Sequence, residues 1–188
     1  FASWDVFPYI INDKRSGIPV NAGYMEELNI KTPVVDYINK NQKRTPVIWE
    51  NVRLDVYTHN IALEYIKKKR PKLVYIAYGE TDDFAHGEKY DFYINSLNYT
   101  DNMIAELWGY VQSNKFYKDN TYFIITTDHG RGLMEDWAGH GSSKASWLAI
   151  LGPNIEKTGL VEGEFFTNQI AETIMQISKK SKTKIPTD

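Results

Sequence analysis

Two hydrophobic periods alternate along this chain, one of 3.6 residues and one without polar breaks. "LDVYTHNIALEYIKKKRP", residues 54–71, repeats apolar positions through Ile61, Leu63, Tyr65 and Ile66, which predicts a helix stopped by Pro71. Asp55 is its expected N-cap, and Lys67 to Arg70 fall in the last turn, where positive charge complements the helix dipole. "KTPVVDYINKNQ" predicts a shorter helix, with Thr32 as cap, Pro33 at the first position, and Val34, Val35 and Ile38 on its apolar side. "KYDFYINSLNYTDNMIAELWGYVQ" carries Tyr93, Leu97, Ile104, Leu107, Trp108 and Val111 near one stripe, and "FTNQIAETIMQISKK" predicts a last helix. Between these lie three short apolar runs, "KLVYIAY", "NTYFIITT" and "SWLAILGP". Such runs suit strands covered by helices on both sides.

The resulting order is that of an α/β fold with a largely parallel sheet covered by helices on both faces. One α/β domain is expected over residues 1–188. Within it lie an irregular lead-in over 1–54, a motif-bearing core over 55–180 and a frayed tail over 181–188.

Composition adds exclusions. With 42% hydrophobic and 24% charged residues the chain reads as globular rather than disordered. Its 22 basic and 24 acidic residues leave no excess positive charge for a nucleic-acid backbone. No apolar run approaches the roughly 18 residues that span a bilayer. The absence of cysteine removes disulfides, thiolate ligands and thiol nucleophiles together. No Gly-x-Ser-x-Gly elbow is present for a serine hydrolase.

Candidate chemistry collects after the predicted strands, where open α/β sheets bind their ligands. The first run leads into "GETDDFAHG", which holds Asp82-x-x-x-His86. The second leads into "DHGRG" with Asp128, His129 and Arg131, and His140 stands in "AGHGSS" just before the third. Mixed Asp and neutral His donors suit zinc, manganese or iron, whereas calcium and magnesium prefer oxygen alone. Each motif taken singly has a plain alternative. Asp-Gly turns and solvated acidic loops are common, and Glu80 and Asp83 read as solvated. His59, inside a predicted helix, reads as structural. What points to a metal is the conjunction of three clusters, in order, at three strand ends.

That set of motifs resembles the alkaline phosphatase superfamily over about residues 55–180. "GHGSSKASWLAILGP" is similar to the His-Gly loop and Gly-Pro-ended strand of its phosphodiesterases. The resemblance implies a two-metal site, zinc or manganese, in which Asp82, His86 and His140 hold one ion and Asp128 and His129 the other. It implies a phosphatase, phosphodiesterase or phosphomutase acting on an anionic phosphate ester, with a sulfatase as the alternative, and a periplasmic or secreted setting. Arg131 and Lys144 flank the clusters as candidate contacts to substrate anions. The family's earlier half also supplies a further Asp and a hydroxyl or modified-Cys nucleophile. Ser16 in "DKRSG" and Thr58 in "LDVYTHN" are poor matches for the latter, so Phe1 is expected to lie inside a longer protein whose amino-terminal half completes the site. A reading from another class is a non-catalytic binding domain that retains a partial metal site.

Overall fold

A computed structural model describes residues 1–140, 144–156 and 159–180. The expected tail over 181–188 and residues 141–143 of the His140 loop lie outside them. The described residues form seven helices and one two-stranded sheet. Two single-turn helices, α1 (Phe7–Ile10) and α2 (Asp13–Ser16), precede α3 (Pro33–Gln42) and α4 (Asp55–Lys69). Then come α5 (Glu80–His86), α6 (Tyr90–Ser113), β1 (Phe123–Thr126), β2 (Leu148–Leu151) and α7 (Gln169–Lys180).

The core lies where α3 crosses α4. Thr32 accepts a hydrogen bond from the Val35 amide and starts α3, which buries Val35 and Ile38 against Ile61 of α4 and Leu28. Val34, expected on the same side, is exposed. Helix α4 ends at Lys69, one residue before Arg70 takes up a left-handed conformation with φ of 50°. Pro71 follows and cannot extend a helix. Helices α5 and α6 pack closely: Ala85 is fully buried, and the Phe84 ring stacks on Phe92 at 5.2 Å and meets Trp49 at 4.7 Å. His59, with only 1% of its surface exposed, bonds the Tyr78 hydroxyl at 2.9 Å and Glu106 of α6 at 3.2 Å.

The sheet departs from expectation. Strands β1 and β2 fall in the predicted second and third runs, but they pair antiparallel, Phe123 opposite Leu151 and Thr126 opposite Leu148. "KLVYIAY" forms no ladder. It runs extended beside the first residues, with one parallel bridge between Ala2 and Ala77, and Ala2 bridges Ala22 in parallel on its other side. Leu73 and Tyr75 remain 69% and 64% exposed, so the run is apolar on both faces without being covered on both. A run of this kind favours an extended segment, whereas its cover, strand partners and direction depend on which segments reach it.

Candidate metal centre

Helix α5 turns the acidic stretch into a site. Seven residues are too few to hold a helix alone, since nucleation costs more than one turn returns. Tertiary bonds supply the difference. The Gly79 and Glu80 amides donate to Asp55 Oδ1 and Oδ2 at 2.8 and 3.0 Å, and the Asp55 amide donates to Glu80 Oε1 at 2.8 Å. The N-termini of α4 and α5 therefore cap each other. The sequence pattern makes Asp55 the N-cap of its own helix, but Leu54 holds that position and the Asp55 carboxylate is turned to α5, where Ser3 Oγ donates to it at 2.5 Å. Burial pushes the Asp55 carboxyl up to about 7 and Glu80 adds to this, while the bonds from Ser3, Gly79 and Glu80 pull the other way. Glu80 and Asp83 are not the solvated loop residues expected. Glu80 is bound to Asp55, and Asp83 Oδ2 accepts the Trp4 indole N–H at 3.0 Å.

On the remaining face of α5, Asp82 and His86 stand one turn apart, with Oδ2 and Nε2 separated by 3.3 Å. The hairpin brings the other residues. Because β1 and β2 pair antiparallel, the end of β1 and the start of β2 lie side by side, and the connection between them returns to α5. His129 Nε2 lies 3.5 Å from Asp82 Oδ1, and His140 Nε2 lies 3.8 Å from it. His140 Nε2 is also 3.1 Å from His86 Nε2. One carboxylate thus gathers three imidazoles.

A tetrahedral ion with bonds of about 2.0–2.1 Å separates its ligand atoms by roughly 3.3 Å. The spacings here fall around that value, and the ligand atoms of Asp82, His129 and His140 all lie within 4.8 Å of one another. His129 Nδ1 is 2.8 Å from the Gly130 carbonyl, which fixes the proton on Nδ1 and leaves the Nε2 lone pair facing Asp82. Desolvation, then nearby His129, His86 and Arg131, shift His140 below its usual range against the pull of Asp128, which favours the deprotonated imidazole that a metal requires. The donor set fits a borderline divalent ion.

The flanking residues divide. Arg131 pairs with the Asp82 carboxylate and reaches the Asp82 and Ala138 carbonyls at 3.4 Å, so it ties α5 to the His140 loop rather than facing outward for a substrate. Lys144 is exposed. Asp128, with 78% of its side chain exposed, accepts the His129 amide at 2.9 Å and lies 3.7 Å from His129 Nε2. His129 therefore stands between Asp82 and Asp128, at the point where the two expected ligand groups meet.

The profile of the sulfatase family matches residues 33–176, from α3 into α7 and across every residue of the cluster. The chain belongs to the sulfatase family. That family lies in the alkaline phosphatase superfamily, which assigns the chain an alkaline phosphatase-like fold and a hydrolase ancestry. Sulfatase-family members use divalent metals and are often secreted or periplasmic. No curated protein and no solved structure matches the chain significantly. Among the described residues of this sulfatase-family chain, no helix is long and apolar enough to cross a membrane.

Neither fallback nucleophile meets the cluster. Ser16 is exposed at the end of α2 and bonds its local backbone, through the Asp13 carbonyl and the Ile18 amide. Thr58 is fully buried and bonds Arg53 Nε at 3.0 Å and Ser3 Oγ at 2.8 Å. Sequence reasoning missed the supporting residues Ser3, Trp4, Asp55 and Glu80, whose partners are 24 to 79 positions away. The one local signal was a glycine and an acidic residue at the junction of extended chain and helix, Gly79-Glu80.

Proposed function

We propose that this chain carries the metal-binding part of a hydrolase site that cleaves a phosphate ester, monoester or diester. The observation that carries this reading is the convergence of three imidazole Nε2 atoms on the Asp82 carboxylate, each within 3.8 Å of one of its oxygens. Asp82, His86, His129 and His140 would hold one divalent ion, zinc by donor preference and manganese next, and Asp128 beside His129 would contribute to a second. Bound divalent ions supply positive charge and Lewis acidity toward an anionic ester.

The protein's own groups set the rest. Neutral imidazoles and few carboxylates leave most of the cationic charge for the substrate, which favours the dianionic phosphate monoester over the singly charged sulfate ester and phosphate diester. Arg131, paired with Asp82, fixes that carboxylate. The hydroxyl nucleophile and a further Asp come, in this proposal, from the amino-terminal part of the same protein, in a secreted or periplasmic setting. A sulfate ester is the second reading, favoured by the sulfatase-family match over residues 33–176.

The test is turnover by the complete protein, loaded with zinc or manganese, of p-nitrophenyl phosphate, bis(p-nitrophenyl) phosphate and p-nitrophenyl sulfate. Phosphate-ester hydrolysis that fails in His140→Ala supports the first reading, and hydrolysis of the sulfate alone supports the second. Bound metal with no turnover of any ester would leave a non-catalytic binding domain and refute both.

A further inference from the structure

We infer that the mutual cap between Asp55 and Glu80, with the Trp4–Asp83 bond, is the device that positions the metal-binding face of α5; Asp55 is a positioning residue for the metal centre. The inference rests on the metal reading above. Its basis is mechanical. Helix α5 is two turns long and carries two of the cluster's four convergent residues on one face. Sliding it along its axis, or rotating it about that axis, carries Asp82 away from His129 and His140.

Two sets of bonds oppose those motions. Asp55 holds the Gly79 and Glu80 amides, and Glu80 returns a bond to the Asp55 amide, so both N-termini are locked against sliding. Trp4 holds Asp83, the residue next to Asp82 and about 100° round the helix, and so fixes the rotation. The anchor itself is rigid. Ser3 Oγ bonds both Asp55 and Thr58, the Ser3 amide donates to the Ala77 carbonyl, and the Arg53 amide donates to the Ser3 carbonyl. Asp55 is 2% exposed, and its bonds run to Ser3, Gly79 and Glu80. Its influence on a metal passes through α5.

The experiment is a zinc titration of the complete protein against a chromogenic chelator, in wild type and variants whose folding is checked by circular dichroism. Asp55→Asn keeps the volume but turns an amide N–H₂ toward a backbone donor or Ser3, and zinc affinity is expected to fall about 10-fold or more. Glu80→Gln keeps the acceptor and is expected to bind zinc like wild type, whereas Glu80→Ala is expected to weaken it as Asp55→Asn does. Ile61→Val, in the core with Leu28, Val35 and Ile38, sets the baseline for a purely structural loss: a lower Tm with unchanged zinc affinity. A folded Asp55→Asn that binds zinc as wild type does overturns the inference and leaves the metal reading intact. If Asp55→Asn does not fold, equal zinc affinity in Glu80→Ala and wild type overturns it. Wild type that binds no zinc overturns both.

Discussion

Asp82 is the residue on which the cluster turns: it faces His86, His129 and His140 and pairs with Arg131. Asp82→Asn keeps its shape and removes its charge. Zinc affinity is expected to drop by more than the 10- to 100-fold typical of losing an outer partner, as read by chelator competition. His59 is the opposite kind of residue, buried and outside the cluster. Burial holds its imidazole below the usual range, against the pull of Glu106. An unfolded histidine takes up its proton near pH 6.5 and the folded one only at lower pH, so below that point the unfolded state binds more protons. The contribution of His59 is therefore present above about pH 6.5 and is lost as pH falls through the folded pKa. Denaturant unfolding at about pH 7.5 and 5.5 is expected to show a smaller acid loss in His59→Gln than in wild type, the other imidazoles being common to both.

At the scale of elements, α5 is too short to hold on its own and depends on its surroundings. Gly79 shows this. A Cβ there would lie 2.8 Å from the Trp4 indole nitrogen, so Gly79→Ala displaces the ring that holds Asp83. The expected cost is about 1–3 kcal/mol in denaturant unfolding, as for other overpacked sites. Helices α3 and α4 were legible in the sequence because their signals are local: Thr32 and Pro33 at one start, Pro71 at one stop, and apolar spacing between. Helix α5 was not, because "GETDDFAHG" has little apolar periodicity, its cap arrives from Asp55, and its other supports are Trp4 on Asp83 and Ser3 behind Asp55. The runs 123–126 and 148–151 were legible as strands from their apolar content, and their antiparallel register was not.

At the scale of the whole molecule, the hairpin and the helices meet at the Trp108–Phe123 ring pair, 5.3 Å apart, and at the cluster itself. A metal held by α5 and by both ends of the β1–β2 connection would cross-link these parts. Any ligand that binds only the folded state stabilises it by mass action, by about 2.7 kcal/mol at a hundred times its Kd. Zinc is expected to raise the Tm of the wild type by several degrees in differential scanning calorimetry and a chelator to reverse it. Asp82→Asn is expected to respond to neither.

The sequence by itself determined which residues are candidates for chemistry and roughly where α3, α4, α6, α7 and the two strands fall. Asp82, His86, His129 and His140 stand out by type, spacing and place after apolar runs, and these are properties of short segments. The tertiary structure decided what no short segment contains. Antiparallel pairing of β1 with β2 returns His140 to His86, and Asp128 is left at the edge with His129 between it and Asp82. A buried Ser3–Asp55 anchor, with half-buried Glu80, holds a helix that its own seven residues could not. Propensity and periodicity act over a few residues, whereas a desolvated carboxylate takes its partners from whatever the fold brings beside it.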